Sequence, residues 1–99
     1  MIIQKNTDGT VLTLFLEGSL DSLAAPELEK ELNDSMDDAD ELIIDFGKLE
    51  YISSAGLRVL LHAYQVMAEK NGMKIIHVND TVHEVLQITG LASMICIVE

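Results

Sequence analysis

The sequence predicts an α/β fold: a mostly parallel central sheet, an N-terminal antiparallel hairpin, and helices packed against the sheet. Three observations carry this expectation. Strand-sized apolar runs alternate with helical periodicities through most of the chain; an Asp-Gly turn separates the first two runs; and 99 residues enclose one hydrophobic core but leave little material for a second. A single domain over 1–99 follows.

Each element has a local reason. Ile2, Ile3 and the run Val11-Leu12-Thr13-Leu14-Phe15-Leu16 flank Asn6-Thr7-Asp8-Gly9, where Asp-Gly supplies the positive-φ chemistry of a hairpin turn. The second strand is apolar on both alternating faces and ends at Glu17-Gly18, which predicts a central strand covered by helices. Leu28, Leu32 and Met36 recur every fourth residue and form the stripe of a first helix, with Pro26 tolerated only near its start. The acidic run Asp37-Asp38-Ala39-Asp40-Glu41 would sit badly at the negative end of that helix dipole and is expected to be loop. Leu42-Ile43-Ile44-Asp45-Phe46 reads as a short buried parallel strand. Leu57, Leu60, Leu61, Tyr64, Met67 and Ala68 make the stripe of a second helix, with Arg58, His62, Gln65 and Glu69 opposite. Ser53 or Ser54 caps its start, and Asn71-Gly72 ends it. Met73 to Val78 is a further strand. Thr81-Val82-His83-Glu84 fits a capping box opening a helix through Thr89, closed by Gly90, and Met94 to Val98 is the last strand. The order β-β-α-β-α-β-α-β requires parallel pairing and right-handed crossovers after the hairpin. In such sheets the functional surface forms outside the carboxyl ends of the strands, which points to Gly18 to Ser22 and to Gly47 to Gly56.

Composition narrows the functional classes. The formal charge is −11, with 17 acidic against 6 basic residues, so nucleic acid and anionic membrane surfaces are repelled. Much of the acid lies between Glu27 and Glu41, as a solvated face. The apolar runs are far shorter than the roughly 20 residues of a membrane span. The N-terminus lacks the basic and long apolar regions of a secretory signal, and the expected location is the cytoplasm. Cys96 lies in Met94-Ile95-Cys96-Ile97-Val98 and is expected to be a buried small hydrophobe.

Enzyme motifs do not assemble. The six glycines form neither a dinucleotide fingerprint nor a phosphate loop, and Ser54 has Ile52 where a nucleophile elbow needs glycine. His62, His77 and His83 lack metal-ligand spacing and are expected to be structural or solvated. Asp45 near a strand end suggests a phosphoacceptor, but that chemistry needs an acidic pair for a metal, and Glu17 alone is a poor substitute. No catalytic residue, metal or cofactor is expected. What remains is Leu49-Glu50-Tyr51-Ile52-Ser53-Ser54-Ala55-Gly56-Leu57-Arg58. A serine here sits beside unpaired helix amides, where a phosphate would meet the positive end of the dipole, although both serines could simply be caps.

Three stretches resemble the signature of the STAS domain family, named for sulfate transporters and anti-sigma factor antagonists. They are Glu17-Gly18-Ser19-Leu20-Asp21 with Ala25 and Leu28, Ile44-Asp45-Phe46 through Ile52-Ser53-Ser54-Ala55-Gly56-Leu57, and Val82 through Leu86-Gln87-Ile88-Thr89-Gly90-Leu91. The resemblance implies a bacterial, non-enzymatic anti-sigma factor antagonist. Unphosphorylated, such a protein sequesters an anti-sigma factor that is itself a serine kinase; phosphorylation releases it, and a phosphoserine phosphatase resets it. By the same resemblance Ser54 is the phosphorylated position, with Ser53 the competing hydroxyl, while Asp21, Ser53, Gly56 and Leu57 shape the partner-binding surface. The familiar antagonists have aspartate where this chain has Ser53 and a second serine where it has Ala55. A small-ligand or nucleotide-sensing module and a non-switching subunit of a larger complex are the alternative readings.

Overall fold

The computed structural model describes residues 1–98; Glu99, the last residue of the expected domain, lies outside them. Five strands, β1 (Ile2–Asp8), β2 (Val11–Leu20), β3 (Glu41–Ile52), β4 (Met73–Ile76) and β5 (Cys96–Val98), form one sheet in sequential order. The first pair is antiparallel and the others are parallel. Helices α1 (Ala25–Ser35), α2 (Ser54–Met67) and α3 (Asp80–Ile88) connect the parallel strands, with short 3-10 turns at Met36–Asp38 and Leu91–Ser93. Among the described residues no helix is long and apolar enough to cross a membrane.

Successive right-handed crossovers that add each strand on the same side of the last place every helix on the same face of the sheet. Burial follows this rule. Leu12, Leu14, Leu16, Leu42, Ile44, Phe46, Met73 and Ile75 share one core with Leu28, Leu32, Leu60, Ala63, Val82 and Leu86 from the helices. The alternate residues Val11, Thr13, Ile43, Asp45, Lys74 and Ile76 are only half-buried, and Phe15 is exposed. The expectation that β2 is covered on both faces is therefore corrected: its second apolar row lies on a sheet face that carries no helix.

The third strand is longer than expected. It runs on through Gly47–Ile52, a segment read as loop, because two bulges interrupt its pairing with β2. Phe46 and Gly47 together oppose Leu16, and Glu50 is an extra residue between the pairs Gly18–Leu49 and Ser19–Tyr51. Each bulge resets the alternation, so the inward residues Phe46, Leu49 and Ile52 fall three apart and all remain buried.

Helix α1 carries Pro26 in its first turn and buries Leu28 and Leu32, as its spacing predicts, while Met36 is buried from the 3-10 turn that follows. The acidic run is not simply loop: Asp37 and Asp38 belong to that turn and Glu41 opens β3. The Lys70 ammonium donates to the carbonyls of Met36, Asp37 and Ala39 at 2.7, 3.1 and 2.8 Å, which supplies the positive charge this helix end lacks in sequence. Helix α2 ends at Met67, earlier than the expected Asn71-Gly72, and a turn then leads to Gly72 at φ +93, whose amide donates to the Met67 carbonyl at 2.9 Å. Its buried row is Gly56, Val59, Leu60, Ala63 and Met67, rotated from the expected one. Leu57, Leu61 and Tyr64 are half-buried on its flank, and Ala68 is exposed. The cap of α3 is Asn79, whose side chain accepts from the Val82 amide at 2.8 Å, so Thr81 lies inside the helix and forms no capping box. Gly90 follows α3 at φ +84. Strand β4 stops at Ile76, short of Val78, and β5 starts at Cys96, because Leu91–Ser93 form a 3-10 turn. Cys96 is exposed, which overturns its expected burial: its neighbour Ile95 takes the core position.

Candidate functional site

The carboxyl ends of β2 and β3 run side by side, with Leu20 paired to Ile52, and each strand feeds a helix. This brings Asp21, at the entrance to α1, next to Ser53 and Ser54, at the entrance to α2. The Leu20 carbonyl ties the two loops together, accepting both the Ser53 amide at 2.9 Å and the Ser53 hydroxyl at 3.0 Å.

Ser53 is the N-cap of α2. Its φ of −95 and ψ of 171 are extended, and its Oγ accepts the Gly56 amide at 3.2 Å while donating to Leu20. Both hydrogen-bonding roles of that hydroxyl are thus occupied, and the residue is half-buried. Ser54 is the first helical residue. Its side chain is exposed, and its hydroxyl has no hydrogen-bond partner among the described residues. The amides of Ser54 and Ala55 likewise have no acceptor there, so two unpaired donors and the positive helix end lie beside the free hydroxyl.

Asp21 forms an Asx turn. Its Oδ1 accepts from the amides of Leu23 at 3.1 Å and Ala24 at 2.8 Å, and its carbonyl accepts from Ala25 at 2.9 Å. The second carboxylate oxygen has no partner among the described residues and remains open to a partner's donor. Gly56 is buried beneath this surface: a Cβ there would stand 2.7 Å from Leu20 Cγ, 2.9 Å from Leu20 Cδ2 and 3.0 Å from the Leu20 carbonyl oxygen. It shapes the site by letting α2 approach β2. Leu57 is half-buried on the α2 flank.

Two flanking residues escaped the sequence analysis. Leu23, between Asp21 and α1, is 84% exposed, and Tyr51, just before Ser53, is 54% exposed. Large apolar side chains this open beside a polar site are candidate contacts for another protein. The available signal was Leu23 itself, an apolar residue off the α1 stripe. Among the described residues no group of three His, Cys, Asp or Glu side chains gathers to hold a metal.

Known proteins share this fold. The STAS domain family model matches residues 3–99. A Bordetella bronchiseptica protein described as anti-sigma factor antagonist BtrV is 37% identical over 89 residues, covering 88% of this chain and 76% of that protein. The structure of an anti-sigma factor antagonist from Mycobacterium paratuberculosis superposes with a TM-score of 0.89 at 22% identity, over 97% of this chain and 83% of that one. The Bacillus cell fate determinant SpoIIAA, solved in its phosphorylated form, superposes with a TM-score of 0.77 at 18% identity, over 99% of this chain and 92% of that one.

Proposed function

This chain belongs to the STAS domain family, and from that premise we propose that it is an anti-sigma factor antagonist controlled by phosphorylation of Ser54. In the unphosphorylated state it binds and sequesters an anti-sigma factor that is a serine kinase. Phosphate transferred from ATP to Ser54 ends the complex, and a phosphoserine phosphatase restores it. The chain supplies the acceptor and the docking surface, and catalysis belongs to the partners. The reading places the protein in the cytoplasm, where such partners work.

One observation carries the choice of residue: the Ser54 hydroxyl is exposed and unbonded, whereas the Ser53 hydroxyl is half-buried and committed as donor and acceptor. Modifying Ser53 would remove the α2 cap and its bond to Leu20. Modifying Ser54 breaks no bond and sets a charge of roughly −1.5 to −2 against free helix amides. The fold therefore tolerates the change, and its effect falls on whatever contacts the surface. Leu23, Tyr51 and Leu57 offer apolar contact there, and the open oxygen of Asp21 offers an acceptor.

The test is incubation of the purified protein with its cognate kinase and ATP, followed by mass mapping of the peptide containing Ser53 and Ser54. Phosphate on Ser54 is expected; its absence from that peptide, or its confinement to Ser53, refutes the assignment. Ser54→Ala keeps full affinity for the kinase, whereas Ser54→Asp binds at least tenfold more weakly, a difference of about 1.4 kcal/mol. Equal affinities would show that charge at this position is not the control.

A further inference from the structure

The sheet face without helices carries a cavity of about 290 Å³, whose lining includes Ile2, Phe15, Asp45, Gly47, Lys48 and His77. It opens on the side of β2 to which the exposed Phe15 belongs, opposite the core residues Leu12 and Leu14, so the helix layer that bears Ser54 lies across the sheet. At its edge stands the one non-glycine residue with positive φ among those described, His77 at φ +60. Left-handed backbone is uncommon for such a residue and persists only where its surroundings hold it. Here the hold is Asp45, whose Oδ2 lies 3.0 Å from His77 Nδ1 while its Oδ1 accepts the Gly47 amide at 2.7 Å. The Asp45 carboxylate is largely buried, with 15% of its side chain exposed, whereas the imidazole is 66% exposed.

This pair fixes the chemistry of the ring. With Nδ1 donating to the carboxylate, Nε2 of the neutral ring is left as the acceptor. The rest of the cavity selects what could use that acceptor. Lys48 is paired with Glu17 at 3.7 Å, so an anion would still meet the Asp45 carboxylate and the field of a chain with net charge −11. A cation would find both Asp45 oxygens engaged, Glu17 paired at 3.7 Å with Lys48, and the Lys48 ammonium itself at the rim. Phe15 and Ile2 offer an apolar surface, both exposed to solvent. The volume lies near the lower end of ligand pockets, about 300 Å³, and suits a single ring.

We propose that this cavity binds a small neutral phenol, its ring against Phe15 and Ile2 and its hydroxyl donating to His77 Nε2, which Asp45 orients. The site is separate from the Ser54 surface and does not depend on the function proposed for it.

The test is titration of the isotope-labelled full-length protein with p-cresol, followed by amide NMR, with toluene, benzylamine and benzoate as matched probes. Saturable shifts confined to residues around Phe15, Gly47 and His77 are expected. Toluene, which lacks only the hydroxyl, should bind about tenfold more weakly, the effect of one lost hydrogen bond. His77→Asn keeps a residue that accepts left-handed backbone but is too short to present the acceptor, and should lower p-cresol affinity to the toluene level. Should His77→Asn fail to fold, Phe15→Ser, at an exposed position, should weaken p-cresol and toluene alike. Scattered or non-saturating shifts, equal affinity for p-cresol and toluene, tighter binding of benzylamine or benzoate, or an unaffected Phe15→Ser variant each overturn the proposal.

Discussion

Gly56→Ala tests whether the N-terminus of α2 is held by close packing against β2. The added Cβ would stand 2.7 and 2.9 Å from two carbons of the Leu20 side chain and 3.0 Å from the Leu20 carbonyl oxygen. Leu20 has little freedom to give way. Its side chain is fully buried, and its carbonyl is fixed by the Ser53 amide and hydroxyl. Overpacking of this kind costs about 1–3 kcal/mol, and the gain from placing alanine in a helix returns up to about 1 kcal/mol. The net expectation is a loss of roughly 1–2 kcal/mol, or a fall of about 5–15 °C in melting temperature for a chain of this size. Thermal and urea unfolding followed by circular dichroism measure it. Leu20→Ala in the same background removes the two side-chain carbons in conflict and leaves only the contact with the carbonyl oxygen, so a double-mutant cycle should show favourable coupling of about 1 kcal/mol or more. A Gly56→Ala variant as stable as the parent, or additivity in the cycle, would refute the packing argument.

Three further outcomes are expected. Lys70→Met removes a cation from three carbonyls and should cost about 1–2 kcal/mol, less than a fully buried charged group because water reaches part of the site; an unchanged urea midpoint would contradict this. Asp21→Ala loses the Asx turn before α1 and should cost about 1 kcal/mol, while Asp21→Asn retains most of it; equal unfolding curves for the two variants would show that the turn is held by other contacts. Cys96 should react with a thiol-specific aromatic disulfide in the native protein at a rate close to that in denaturant; protection of a hundredfold or more, on the order of 3 kcal/mol, would place it in the core.

Much of the fold was legible because each helix and most strands carried a local mark. Pro26 placed the start of α1, Gly90 the end of α3, and Asn71-Gly72 the turn that follows α2, and the order of elements along the chain followed from alternation of periods. The errors have physical causes. Bulges moved the inward residues of β3 to a spacing of three, which no longer reads as a strand. Val59 and Ala63, smaller than Leu61 and Tyr64, occupy the buried row of α2, so hydrophobicity alone does not mark which face of this helix is inward. Thr81 matched a capping pattern, but Asn79 reached the free amide first. At the candidate site, sequence left Ser53 and Ser54 as equivalent caps; the Leu20 carbonyl, a backbone atom 33 residues away, distinguishes their hydroxyls. Asp45 and His77 are separated by an entire helix and strand, so their pairing had no local sign.

The bulged strand divides into two mechanical parts. From Leu42 to Asp45, β3 has hydrogen-bonded neighbours on both sides; from Lys48 to Ile52 its only strand neighbour among the described residues is β2, helped by the Asn79 side chain at the Leu49 carbonyl. The inner part is the root, clamped from both sides, and the outer part is clamped from one, although Leu49 and Ile52 still anchor it in the core; Ser53 and Ser54 lie just beyond its tip. Fewer ladder bonds per residue make the tip the softer part, so its amides should exchange with solvent sooner than those of the root. The two bulges mark where that change from two ladder neighbours to one takes place, so local opening should stop there while the root keeps its register.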